Sequence, residues 1–349
     1  MRSRLVAYAL LVCILSLIST VIRAEEPAPD GATAVEKSLQ WLASQQRDDG
    51  GWAFEGKNLE RASSNEVTGL ALLAFLEAGQ THKEGKYKEE VRRGLAYLIK
   101  HMQVDDDAGD LRGRHGDMIA HAVAACALIE AYAMTRDKEL LAPAQHAVNF
   151  SVQAQDKETD GWRRDAMSPP SMLAFGWQLQ ALKRAHVAYL QVRKESVLRA
   201  MKHLDRVELD GGKFYADHKR ERDRRATAVG LYSRYILGWR PTDERLLAGL
   251  DFVGHEPQPH DALHNYLAHQ LHFHAAEKTW PHWNGAIRKQ LLESQIVAGD
   301  DAGSWFDAAD CDADRGRLQQ TALNSIILSM VRRVRPMPPR PEADDEFPL

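Results

Sequence analysis

Trp41-Leu42-Ala43-Ser44-Gln45-Gln46-Arg47-Asp48-Asp49-Gly50-Gly51-Trp52, followed by the run TGLALLAFLEAG from Thr68, decides how the rest of the chain reads. A mixed polar and apolar helix ends in glutamine, a Gly-rich turn carries an aromatic, and a more apolar helix begins. The same order recurs. Tyr97-Leu98, Gln103 and Gly109-Asp110-Leu111 precede a helix around His121. Phe150, Gln155 and Asp160-Gly161-Trp162 precede Gly176-Trp177-Gln178-Leu179. His203-Leu204 and Asp210-Gly211-Gly212-Lys213-Phe214 precede a helix from Thr227. A degenerate fifth copy runs from Leu250 through a Pro/His loop to Asn265, and the sixth has Leu291-Leu292, Gln295, Gly303-Ser304-Trp305 and a helix from Thr321.

Aligning the apolar helices puts a small residue in one column: Gly69, Ala122, Gly176, Ala228, Ala268 and Ala322. The spacing is close to constant, except for one short step into the fifth copy, which lacks its Gly-Trp turn. Helix pairs of this kind cannot bury their apolar stripes alone and must stack. The first helix of each pair has one apolar face, as in Val91, Leu95 and Leu98, and predicts an outer layer. The second is apolar nearly all round and predicts an inner layer, with the small column allowing close approach. Six pairs predict an all-α ring, an α/α-toroid of about twelve helices around a central cavity. In the turns, Gly supplies backbone angles closed to other residues. The Gln amide can satisfy loose helix-end groups, and the Trp ring covers the gap between pairs.

The Gln…Gly-x-Trp pattern, seen as Gln46…Gly51-Trp52, Gln155…Gly161-Trp162 and Gln295…Gly303-Ser304-Trp305, resembles the QW motif of squalene–hopene cyclases. More broadly, residues 33 to 333 resemble the prenyltransferase/squalene-oxidase repeat superfamily, and in particular uncharacterised exported bacterial members. The resemblance implies the toroid and its cavity. Fold alone does not imply chemistry.

The chain has 349 residues, 44% hydrophobic and 27% charged, with formal net charge −4. That composition is globular. The first 24 residues hold Arg2, Arg4 and Arg23 and no acid, so the remainder is more acidic still, which argues against a nucleic-acid partner. Three cysteines exclude a disulfide framework; Cys13 lies in the N-terminal apolar run, and Cys126 reads as a small core hydrophobe. One Cys126–Cys311 bridge remains open. Arg2, Arg4, the apolar run Leu5 to Ile22 and Ile22-Arg23-Ala24 read as an export signal over residues 1–24, or as an uncleaved anchor. Either way the body, residues 25–335, is expected outside the cytoplasm, with membrane contact only through that segment. Residues 336–349 (PMPPRPEADDEFPL) read as a disordered Pro-rich acidic tail.

The cyclase resemblance implies an Asp-x-Asp-Asp acid motif, in which crowded carboxylates keep a proton available. Asp105-Asp106-Asp107 with Asp110 is the candidate, but it sits in the turn after an outer helix and reads as a solvated acidic turn. The prenyltransferase resemblance implies an Asp-x-Cys and a distant His holding zinc. Asp310 and Cys311 are adjacent rather than spaced, so the set is incomplete. No cofactor is implied. Weak metal candidates remain. His269 and His272 are three apart on one helix, and Asp310, Asp312 and Asp314 alternate like a calcium loop without its Gly and Glu. Packed histidines and a solvated loop are the plainer readings. Arg224 and Arg225 are anion-binding candidates at a helix start, with a salt-bridged loop as the alternative.

The residues expected to line the cavity mouth are Thr68, His121, Trp177, Thr227, Tyr266, Gln320 and Thr321. His121 interrupts an apolar helix in the column of Thr68, Thr227 and Thr321; internal bonding to backbone is the competing reading. Because both known chemistries lack their motifs, the sequence favours a non-catalytic binding or interaction scaffold for a small-molecule, glycan or peptide ligand. The alternative is a divergent enzyme, either a terpenoid cyclase-like lyase or isomerase or a hydrolase or lyase on a polymer. In that case His121 and Tyr266 are the acid/base candidates.

Overall fold

A computed structural model describes residues 29–54, 63–217 and 221–330. The export-signal and acidic-tail segments lie outside the described residues. Among the described residues there are twelve α-helices, which alternate between two layers. The outer helices are α1 (Pro29–Ser44), α3 (Lys88–His101), α5 (Lys138–Gln153), α7 (Lys194–Val207), α9 (Glu244–Val253) and α11 (Trp280–Ser294). The inner helices are α2 (Ser64–Glu77), α4 (Met118–Thr135), α6 (Met172–Val187), α8 (Arg224–Ile236), α10 (Ala262–Ala275) and α12 (Gly316–Ser329). Two short antiparallel hairpins, Gln103–Asp105 with Ala108–Asp110 and Glu208–Leu209 with Phe214–Tyr215, sit in the turns.

Burial follows the periodicity. In α3 only Val91, Gly94, Leu95, Tyr97 and Leu98 are buried, one stripe of an outer helix. In α2 every residue from Asn65 to Glu77 is buried, as an inner helix packed on all sides requires. Each inner helix packs on the next around the circle, and α12 packs on both α1 and α2, closing the ring. The small column makes this spacing possible. A Cβ on Gly69 would lie 2.9 Å from the Ala124 backbone, and one on Gly176 would lie 2.5 Å from Val229 Cγ1. Five of the six inner helices are capped by Ser63, Asp117, Ser171, Asp223 or Asp261, whose side chains accept first-turn N–H groups.

The glutamines are clasps between repeats. Gln46 Nε2 donates to Gly50 O in its own turn and to Glu90 O at the next outer helix, both at 2.9 Å. Gln155 Nε2 does the same to Asp160 O and Ser196 O. Gln295 Nε2 donates to Gly303 O at 2.8 Å and to Ala34 O at 2.9 Å, so the last repeat is tied to the first. The tryptophans complete each corner: the indole N–H of Trp52, Trp162 and Trp305 donates to Leu42 O, Ser151 O and Leu291 O. Gly303 has φ +94°, and a Cβ there would lie 2.4 Å from Lys37 O, so glycine is required.

The polar column has a structural use, which corrects the expectation that it lines the cavity. Thr68, Thr227 and Thr321 Oγ1 accept the backbone N–H of Trp52, Tyr215 and Trp305. In the second repeat His121 Nδ1 accepts from Leu111 N, and Nε2 donates to Ser151 Oγ at 3.0 Å. In these four repeats the column pins the turn to its inner helix. Cys126 is buried and Cys311 exposed, and both are free thiols.

Candidate active site

The two ends of the ring differ. At the end where inner helices begin, the connections are long: 45–63, 102–117, 154–171, 208–223 and 295–315. At the other end they shrink to segments such as 136–137 and 276–279. Long connections on one face of a rigid scaffold are where binding and catalysis concentrate. The positive ends of all six inner helix dipoles also point there.

A central cup of about 300 Å³ opens on this face. Its walls come from all six inner helices, through Glu66, Ile119, Leu173, Arg225, Leu263 and Gln319 in the upper layer. Leu70, Val123, Trp177 and Leu323 form the layer below. Trp177 stacks on Tyr266, centroids 5.4 Å apart and planes 13° from parallel, within the ring. A groove of about 610 Å³ runs out between the 164–173 loop on one side and Asp217 with residues 221–226 on the other, and shares Arg164, Leu173 and Arg225 with the cup. These three residues form a wall common to cup and groove.

Charges of both signs ring the cup. Glu66, 6% exposed in the first turn of α2, pairs with Arg315. Arg225 bridges Asp261 at 2.5 Å and Asp312 at 2.8 Å. Arg164 holds Asp117 at 2.7 Å, and Asp314 completes the wall. Burial pushes the Glu66 carboxyl above its ordinary range; Arg315 opposes this, Asp117 reinforces it, and burial is the larger effect. The cup therefore brings together a carboxyl whose pKa burial raises and an aspartate, Asp312, bonded to Arg225.

Several candidates read from the sequence sit elsewhere. His121 has both ring nitrogens committed to hydrogen bonds, packs on Phe150, and is depressed to about 4 by burial, so it is no acid/base group for the cup. His121→Ala is expected to cost about 3 kcal/mol through lost packing and an orphaned Leu111 N–H, read by urea unfolding, with turnover of the folded fraction unchanged. Gln320 is also turned away: its amide brackets the Asp307 backbone N–H and C=O. Tyr266 is buried behind Trp177, and burial raises its hydroxyl pKa further. Trp177 faces the cup.

The anion-clamp reading is corrected as well. Arg224 donates to Gln258, and Arg225 is neutralised by Asp261 and Asp312. His272 is bound to Gly254 O and Thr279 and stacks on Trp283, and His269 Nδ1 accepts from Trp283 Nε1. Asp310 caps the Ala262 and Asp312 N–H groups. Among the described residues no group of three or more His, Cys, Asp or Glu could hold a metal ion. Asp105-Asp106-Asp107 is the exposed tip of the first hairpin.

Sequence reasoning missed Glu66, Asp117, Arg164, Arg315 and Gln319. A signal was present. Residues three before the small column are Glu66, Ile119, Leu173, Arg225 and Gln319, and one after it are Leu70, Val123, Trp177 and Leu323. Those two columns, one helical turn apart, are the cup.

Two concentric layers of six helices around a polar cup define an α/α toroid. The chain belongs to the family of the prenyltransferase alpha-alpha toroid domain, whose family model matches residues 3–119 and 115–269. Among curated proteins no sequence matches. Solved structures of the same shape include cellobiose 2-epimerase from Bacillus thermoamylovorans, at TM-score 0.64 and 14% identity, covering 87% of this chain and 98% of that one. A glycoside hydrolase family 76 mannosidase from Bacteroides thetaiotaomicron follows at TM-score 0.62 and 12% identity, with 86% and 97% covered. An inactive variant of an alpha-1,6-mannanase from Salegentibacter sp., in complex with alpha-1,6-mannotriose, has TM-score 0.62 and 9% identity, with 86% and 99% covered. The expectation of a non-catalytic scaffold is corrected here. It rested on the missing cyclase and zinc motifs, whereas toroids of this shape include sugar-processing enzymes, so those missing motifs are no ground for reading the ring as inert.

Proposed function

We propose that the chain is an enzyme acting on a glycan, with cleavage of a glycosidic bond at the central cup. The observation that carries this reading is the buried Glu66 carboxyl, raised above its ordinary range by burial although Arg315 is bonded to it, in a cup that also holds Asp312 bonded to Arg225. Glycoside cleavage uses that division of labour. Glu66 gives its proton to the leaving oxygen. Asp312, bonded to Arg225 at 2.8 Å, supports the positive charge that develops on the sugar ring, or takes the proton from attacking water. The adjoining groove suits an extended polymer better than an isolated small molecule. A cyclase-like isoprenoid reaction fits less well, since Trp177 is the only aromatic in the cup wall among the described residues. Action outside the cytoplasm is part of this proposal and rests on the basic and apolar N-terminal segment.

The test is release of reducing ends from α-linked mannans and β-linked glucans. Wild type is expected to cleave at least one, and Glu66→Gln to lower the rate roughly 10²–10⁴-fold. The rate is expected to fall as pH rises through the elevated Glu66 pKa, because the protonated form is the one consumed. Turnover undiminished in Glu66→Gln, or no cleavage across the panel, would overturn the reading.

A further inference from the structure

The opposite end of the ring holds a second pit of about 230 Å³, among the C-terminal halves of the inner helices. It shares no lining residue with the cup. Trp177 and Tyr266, stacked between the inner helices, lie in the layer that separates the two ends. Its contents are unusual for the floor of a structural ring, which is normally closed with apolar side chains. Glu77 and Glu130 contribute two carboxylates, and Lys183 and Arg184 contribute two cations. Arg184 is 3.4 Å from Glu130 and donates to Gln180 Oε1 at 3.2 Å. Gln270 adds a second amide. Tyr232 and His274 stack at 5.4 Å on one side, with Phe273 edge-on to His274.

The chemistry of these groups selects the ligand. Carboxylates and cations balance, and burial keeps His274 neutral down to about pH 4, so a ligand of either net charge meets as much repulsion as attraction. An apolar ligand would strip water from four charged groups without replacing its hydrogen bonds. A neutral ligand dense in hydroxyls, with an apolar ring face for Tyr232 or Phe273, can exchange hydrogen bonds with these polar groups without adding a net charge. The volume equals about eight waters, enough for one pyranose and too little for an oligosaccharide. We infer that this pit is a second, non-catalytic site that binds a single neutral sugar residue on the face opposite the cup. The inference does not depend on the cup being catalytic.

Ligand-observed NMR titration of the intact chain with D-mannose, D-glucose and N-acetyl-D-glucosamine tests it, with glycine and citrate as zwitterionic and anionic controls. Saturable millimolar binding of at least one sugar is expected. Lys183→Met and Gln270→Leu, each checked for native circular dichroism, are expected to weaken it at least five-fold, while Val297→Ala, outside both depressions, leaves it unchanged. If one pit variant fails to fold, the other carries the test. No saturable sugar binding, binding undiminished by both pit substitutions, or tighter binding of glycine or citrate would overturn the inference. Because the readout is binding, a failed cleavage assay leaves this result interpretable, and the reverse also holds.

Discussion

Acidification from pH 7 to pH 4.5 is expected to unfold this protein. His121, His272 and His274 are held near 4 and His269 near 3, in each case because burial disfavours the charged ring. His203 and His264 are shifted in the same direction for the same reason. In the unfolded chain each returns to about 6.5. Between those values the unfolded state binds more protons, so stability rises with pH there and is lost as pH falls. Each imidazole contributes about 1.4 kcal/mol per pH unit inside that window. Four together can exhaust the 5–15 kcal/mol typical of a folded protein, within roughly two pH units. Thermal melts in steps of half a pH unit check this. A melting temperature that stays level from pH 7 to pH 4.5 would show that the rings are charged, or accessible to water, in the native state.

Trp305→Ala is the substitution expected to damage the fold most. Its indole is 2% exposed, its ring N–H is bound to Leu291 O, and its backbone N–H is bound to Thr321 Oγ1. Removing a buried tryptophan costs about 3–5 kcal/mol. The position adds to the effect, because this corner lies beside the Gln295–Ala34 bond and the Ser38–Ser325 hydroxyl pair that join the first and last repeats. The melting temperature is expected to fall by about 10 °C, with broadened unfolding as the terminal helices separate from the rest. Val297→Ala nearby, at a side chain that is 78% exposed, is the control and should change nothing. Equal melting temperatures for both variants would mean that the corner contributes little to closure.

The ring was legible in the sequence because its physics repeats. Five Gly-rich turns, six small residues in one column and two contrasting helix faces each bear on the same architecture, and their agreement points to the layers and the closure. The cup was only partly legible, because a helical column is a direction and the direction was misread. Residues one before the small column point outward to the turns. Those three before it lie about 200° further round and point inward. Choosing the first column led to Thr68, His121, Thr227 and Thr321, which hold backbone; Trp177 alone stood in an inward column. Glu66 was hidden for another reason. Its partner Arg315 is nearly the whole chain away in sequence, and only ring closure brings the two together. The raised pKa of that carboxyl is a property of burial, which no spacing displays.

The stacked pair Trp177 and Tyr266 limits traffic through the hub. With those rings and their neighbours across the bore, a strand of any length cannot be threaded from one side to the other. Whatever reaches Glu66 must arrive and depart by the same doorway. A free chain end can drop to the bottom of such a dead end, whereas the middle of a straight strand would have to bend sharply to do so. On the proposed reading, a glycan lying in the outlying trough would be shortened stepwise from a terminus.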